Sequence, residues 1–121
     1  MPASQNQAGD IELIGPILPV TRLVAKTGVA IAQGDLVHLN LTSDVWETCP
    51  TSGAGPFGVA AKAALSTDTV VEIWEGPNVY VYLKADAAID KGNEVASGAV
   101  TAGRVGPWTD GVTAINRRVG K

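Results

Sequence analysis

The sequence uses one phrase twice. Ala30-Ile31-Ala32-Gln33-Gly34-Asp35-Leu36-Val37 returns fifty-eight residues later as Ala88-Ile89-Asp90-Lys91-Gly92-Asn93-Glu94-Val95. Each copy has an apolar anchor, a polar step, a glycine where the backbone must turn, and then the start of a strand. A second echo follows each copy: Gly55-Pro56-Phe57-Gly58-Val59-Ala60 after the first, Gly106-Pro107-Trp108 and Gly111-Val112-Thr113-Ala114 after the second. Two similar β-units in one small domain make a scaffold for surfaces, and nothing in the repeat is reaction chemistry.

The rest of the chain reads as β with frequent punctuation. Of 121 residues, 14 are Gly and 7 are Pro, spaced to fit short strands and tight turns. Strands are expected near 21–27, 35–41, 44–48, 57–62, 69–75, 79–85, 94–97, 99–102 and 112–116. Ala60 to Leu65 is the one place where helix propensity competes, but it is too short to nucleate alone. A strand running into a turn is expected there, with one helical turn as the alternative. The fold class is therefore all-β: a compact β-barrel or β-sandwich of eight or nine short strands with little or no helix. A single domain fits the length.

Both termini stand apart from that body. Met1 to Asp10 is polar, and Ile11 to Pro19 is apolar but broken by Pro16 and Pro19, so it is neither helix nor central strand. Residues 1–20 read as an extended N-terminal arm that needs a surface to lie on, residues 21–116 as the β-body, and 117–121 as a basic C-terminal tail. Arg117, Arg118 and Lys121 form the tail's charge cluster, read either as solvated or as a tether onto an acidic neighbour.

Charge and cysteine usage exclude several function classes. The net charge of −3 lacks the basic face that nucleic-acid binding requires. No apolar run is long enough for a helical membrane span. The N-terminus lacks the basic and apolar regions of a secretory signal, which points to a soluble protein made in the cytosol. Cys49 is the one cysteine and His38 the one histidine, so there is neither an intrachain disulfide nor a cysteine- or histidine-based metal cage. Cys49, before Pro50, reads as an inert thiol. His38 reads as a polar-face residue on a strand. Thr51 to Pro56 is glycine-rich but lacks the Gly-Lys-Ser/Thr ending of a phosphate loop, and it is expected to be a flexible hairpin loop. No nucleophile-elbow spacing is present, and acid pairs such as Glu72/Glu75 and Asp86/Asp90 arise by chance among twelve carboxylates. The sequence offers no enzyme, and no cofactor is expected.

Alternation is legible in two places. In 35–41, Val37, Leu39 and Leu41 share one face, and Leu36, His38 and Asn40 the other. In 70–84, a loop at Gly76-Pro77-Asn78 would pair Trp74 with Tyr80 and Glu72 with Tyr82. Val71, Ile73, Val79, Val81 and Leu83 then form a core stripe. The opposite face would carry Glu72, Trp74, Tyr80, Tyr82 and Lys84, aromatic yet salted with both signs of charge. Large amphipathic rings in such a setting suit a protein–protein interface, while Trp46, Trp74 and Trp108 equally suit core plugs.

Taken in order, these motifs resemble the small capsid decoration, or cement, proteins of bacteriophages, a family long catalogued as a domain of unknown function. The carrying residues are the run from Ala30 to Val37, then Phe57-Gly58-Val59-Ala60, Glu75-Gly76 at a strand-pair turn, the run from Ile89 to Val95, and Gly111-Val112. The resemblance covers about residues 21–116. It implies a β-barrel-like or β-sandwich body that forms a homotrimer and binds the major capsid protein on the outer surface of an icosahedral head, stabilising capsomer contacts. The expected location is the virion, with no direct contact to nucleic acid or membrane.

The low charged fraction, 17% against roughly 25% in ordinary soluble domains, suits a body covered by neighbours. Expected interface residues are Ile11, Leu13, Ile14, Ile17 and Leu18 of the arm, Trp74, Tyr80, Tyr82 and Trp108 of the body, and Arg117 and Arg118 of the tail. The alternative is a carbohydrate- or cell-surface-binding β-module of a phage appendage, with Trp74, Tyr80 or Trp108 stacking on sugar rings. A third reading is an enzyme accessory domain of the β-clip type.

Overall fold

Both copies of the repeated phrase close the same turn. Asp35 N–H donates to Ala32 O at 3.2 Å, and Asn93 N–H donates to Asp90 O at 3.1 Å. The third residue of each turn, Gly34 or Gly92, holds a positive φ, a conformation that side chains oppose. The structure is a computed structural model, and it describes residues 7–11, 20–76, 80–109, 113 and 115–120. Its strands are β1 (Arg22–Ala25), β2 (Leu36–Asn40), β3 (Val45–Thr48), β4 (Phe57–Ala60), β5 (Val70–Trp74), β6 (Val95–Ser97), β7 (Val105–Pro107) and β8 (Arg118–Gly120). A 3-10 turn at Ile115–Arg117 precedes β8. The protein is all-β, with two antiparallel sheets.

Each repeat turn launches the central strand of a three-stranded unit. β2 lies between β3 and β4, and β6 lies between β7 and β8. Val37 pairs with Thr48 on one side and Gly58 on the other. Its counterpart Val95 pairs with Pro107 and Gly120. The duplication read in the sequence is thus a duplication of strand order and nearly of register.

The first unit is extended by β5 and β1, giving the order β1-β5-β4-β2-β3. Just past β1, Lys26 bridges Trp46 of β3, and Thr27 N–H donates to Trp46 O at 3.0 Å. This joins the two ends of the sheet and closes a five-stranded barrel, which removes the edges an open sheet would expose. Val24, Ile31, Val37, Trp46, Ala60, Ala64, Val71 and Ile73 fill its interior. Gly58 also faces inward. A Cβ there would lie 3.0 Å from Ile73 Cδ1 and 3.4 Å from Trp46 Cζ3, so the missing side chain makes room for the indole.

Lys26 seals one end of the barrel. It is buried, and its Nζ donates to Thr27 O at 2.7 Å, Leu65 O at 2.8 Å and Asp68 O at 3.1 Å. An ammonium has three hydrogens, and three carbonyls take them.

The second unit packs against the outside of the barrel. Leu36, Cys49 and Val105 are buried between the layers with Phe57, Leu83, Ile89, Val95 and Val119 packed around them. β2 therefore serves two cores, with Val37 pointing into the barrel and Leu36 out of it, as its alternation requires. Backbone bonds stitch the units together: Leu36 N–H donates to Gly103 O, Gly103 N–H to Cys49 O, Ser52 N–H to Gly98 O and Gly55 N–H to Asn116 O. Asp86 shapes the loop that makes these contacts. Its carboxylate accepts from the amides of Val100 and Thr101, and it sits where a Cβ on Gly98 or Gly106 would collide with it.

Several expectations require correction. Of the expected 79–85 strand, residues 80–85 form no strand and do not pair with β5, whose two edges are taken by β1 and β4. Val81 instead bridges Ile11, and Ala85 bridges Val105 in parallel. Val79 and Pro77-Asn78 lie outside the described residues. The strand expected at 99–102 lies at Val105–Pro107, because Asp86 holds Val100 and Thr101 in a loop. At 112–116, only Thr113 and residues 115–116 are described. They form a bend and the 3-10 turn, and the structural counterpart of β4 is β8.

Residues 118–120, read as tail, are that strand. In the arm, residues 7–10 form a turn rather than an extended run, with Asp10 N–H donating to Gln7 O at 3.0 Å. The stretch from Ala60 to Leu65 is a strand running into a turn, with Ala64 bridging Ile31. Leu41 leaves the face of Val37 and Leu39 and stands exposed on the β2–β3 turn. The glycine-rich loop 49–56 is no hairpin: it joins β3 to β4, which flank β2 on opposite sides.

Candidate functional site

A half-open cleft of about 630 Å³ lies between the barrel and the second sheet. The barrel contributes Phe57, Val59 and Trp74, the second sheet contributes Val95, Val119 and Gly120, and Tyr80, Val81, Tyr82 and Leu83 form the remaining wall. Three aromatic residues expected at an interface, Trp74, Tyr80 and Tyr82, thus meet here. They do so through the packing of two layers rather than through a shared hairpin face.

The N-terminal turn fixes this wall. Gly9 N–H donates to Tyr82 O at 2.9 Å, Tyr82 N–H donates to Asp10 O at 2.9 Å, and Trp74 Nε1–H donates to Gly9 O at 3.2 Å. Ala8 packs onto Gly34, where a Cβ would come within 2.4 Å of the Ala8 methyl. Among the described residues, the one carboxylate lining the cleft is Glu75, held at 2.8 Å by Arg22 Nε. Tyr80 is 55% exposed. A cleft of this size and composition can take an amphipathic ring against its aromatic walls.

The other expected residues fall elsewhere. Ile11 is half-buried in its bridge to Val81. Leu13, Ile14, Ile17 and Leu18 lie outside the described residues. Trp108 is half-buried after β7, with its N–H donated to Glu94 O at 3.0 Å. The tail arginines are used inside the second sheet. Arg117 donates to Ser97 Oγ at 3.3 Å and Ser97 O at 2.7 Å, and Arg118 pairs with Glu94.

His38 is half-buried, with Nδ1 2.7 Å from Ala54 O and Nε2 2.9 Å from Glu47 Oε2, an internal polar link between β2, β3 and the loop. Cys49 is buried, and burial, followed by the nearby Glu47 charge, pushes its thiol up to about 11 against the opposing pull of the Gly53 amide and Arg117.

A second surface was missed in the sequence. On the outer side of the barrel, β1 pairs with β5 so that Leu23 lies opposite Glu72 and Ala25 opposite Val70. Leu23 is 64% and Val70 46% exposed. The signal was available in β1 itself. Leu23 and Val24 are adjacent and both large and apolar, and on a strand only one of them can face the barrel core.

No protein-family model, curated protein or solved structure matches the chain.

Proposed function

We propose that this chain is a virion structural protein that binds the outer surface of an icosahedral phage capsid as a homotrimer and stabilises contacts between capsomers. The observation that carries the reading is the distribution of exposed apolar side chains. Leu23 and Val70 stand on the barrel's outer face, and Val29 and Leu65 flank the Ile31–Ala64 bridge. Leu41 caps the β2–β3 turn, and Val100 stands on the β6–β7 loop. Single exposed apolar residues are ordinary. Two such pairs, with Leu41 and Val100 exposed on two further turns, suit a body covered by more than one neighbour. The area buried at each contact, repeated over a symmetric shell, supplies the stabilisation.

The test is co-sedimentation of the purified protein with purified empty heads, together with light scattering of the free protein. Saturable binding at a fixed ratio to capsid subunits, by a trimer, is expected. A chain that stays in the supernatant at every head concentration overturns the reading.

The aromatic cleft favours a second reading, a carbohydrate-binding β-module. Trp74, Tyr80 and Tyr82 would give stacking surfaces and Glu75 a polar anchor. A glycan array separates the two: saturable sugar binding lost in Tyr80→Ala, without head binding, selects the module.

A further inference from the structure

We infer that the cleft is the seat of a fifth strand for the second unit, and that the segment running on from Ile11 supplies that strand. This goes beyond both functional readings and rests on neither. The fifty-eight-residue shift between the two phrases also carries β1, Arg22–Ala25, onto 80–83. Both runs then reach matching neighbours. Lys26, just past β1, bridges Trp46 of β3 in parallel, and Ala85, just past 80–83, bridges Val105 of β7 in parallel. The second unit therefore repeats the barrel's plan from its first run onward.

One place differs. In the barrel, β5 lies between β1 and β4. The matching place lies between 80–83 and β8, and among the described residues no strand fills it. That place is the cleft, whose walls include Tyr80, Val81, Tyr82, Leu83, Val119 and Gly120.

Three observations name the occupant. Ile11 bridges Val81 in antiparallel, as Glu72 of β5 pairs with Leu23 of β1, so the chain enters the open place in the matching register. Gly15 and Pro16 follow Ile11 by four and five residues, as Gly76 and Pro77 follow Glu72. Ile11 and Leu13 are apolar at a two-residue spacing, while Asp10 and Glu12 are acidic. A strand continuing from Ile11 turns Leu13 to the side of Ile11, which is the side of its partner Val81 and of Leu83. The apolar lining at Phe57, Leu83 and Val119 suits Leu13, and Glu75 is already held by Arg22. A strand seated there takes the space a sugar would need, so this inference and the carbohydrate reading exclude each other.

The barrel's register predicts a specific contact. Trp74 of β5 lies opposite Val59 of β4, and Gly58 and Gly120 hold matching places opposite Val37 and Val95. Carried over to the second unit, that register sets Ile14 opposite Gly120. The experiment is oxidation of the full chain carrying Ile14→Cys with Gly120→Cys, against a control carrying Ile17→Cys with Gly120→Cys, read by peptide mapping. A Cβ on Gly120 meets nothing within 4 Å, and the native Cys49 is buried. The bond between positions 14 and 120 is expected within one chain, forming at least about tenfold faster than the control bond. Leu13→Asp, which sets a charge against the apolar lining, is expected to raise the unfolding constant in urea at least about tenfold. If the two pairs oxidise alike, if the bond forms between chains, or if Leu13→Asp unfolds as the wild type does, the inference fails.

Discussion

Gly34 and Gly92 hold the same backbone angle, φ +86° at each, fifty-eight residues apart in the chain. Each closes the turn that aims a central strand, β2 or β6, into its three-stranded unit. Their surroundings differ. A Cβ on Gly92 would meet nothing within 4 Å, whereas one on Gly34 would strike Ala8.

That difference makes a measurable contrast. Gly92→Ala is expected to cost about 1–2 kcal/mol, the strain of a left-handed alanine. Gly34→Ala carries the same strain plus displacement of the N-terminal turn, and is expected to cost about 1–3 kcal/mol more. Urea unfolding of both variants checks the ordering. In a chain lacking residues 1–10 the two costs should become equal; if the gap persists, Ala8 is not its source.

Inside the barrel, Gly58→Ala is expected to cost about 1–3 kcal/mol, because the new methyl meets Ile73 Cδ1 and the Trp74 carbonyl. Adding Ile73→Val removes that Cδ1. The double variant should then be more stable than the sum of the single changes predicts, read by urea unfolding followed through circular dichroism. Strict additivity would mean the methyl is accommodated elsewhere.

Asp86→Ala removes the acceptor of the Val100 and Thr101 amides. Hydrogen exchange should accelerate at Gly103 and Leu36, whose amides depend on the docking of the 98–103 loop, while Val71 and Ile73 amides in the barrel stay protected. The global cost is expected to be about 1–3 kcal/mol. Unchanged exchange at Gly103 would mean the loop docks without its carboxylate.

Cys49 gives stability a pH dependence of known sign. Its folded pKa of about 11 lies above the ordinary 9.0, so the folded state holds the thiol proton more tightly than the unfolded chain does. The contribution is intact below pH 9.0 and is lost as pH rises through about 11. Urea midpoints measured across that window should fall in the wild type and fall less in Cys49→Ala. At pH 8 the native thiol should resist alkylation that the unfolded chain undergoes quickly.

Six of the eight strands, β1 through β6, fall inside segments legible from propensity and punctuation. Where the reading failed, a contact distant in sequence had displaced a local preference. Residues 79–85 have strand-forming side chains, but Tyr82 is bound to Gly9 and Asp10 and Ala85 to Val105, so no continuous ladder forms with β5. The run 99–102 gives way because the Asp86 carboxylate, fourteen and fifteen residues upstream, captures the amides of Val100 and Thr101. The aromatic site was legible as a set of residues, Trp74, Tyr80 and Tyr82, but its shape was not. A cleft between two layers is a property of how the layers pack, which no single strand's pattern contains.

What the sequence determined alone was local: the doubled turn, the positions that only glycine suits, and the alternation that sends Val37 one way and Leu36 the other. These follow from steric limits on each backbone and from the two-residue period of a strand. What the tertiary structure decided was which edges meet. The Lys26–Trp46 bridge closes the barrel, β8 takes the place beside β6 that β4 holds beside β2, and Leu23 with Val70 is left facing outward. Those outcomes depend on hydrogen-bond partners and apolar surfaces contributed from distant parts of the chain, and only the folded protein brings them within reach of one another.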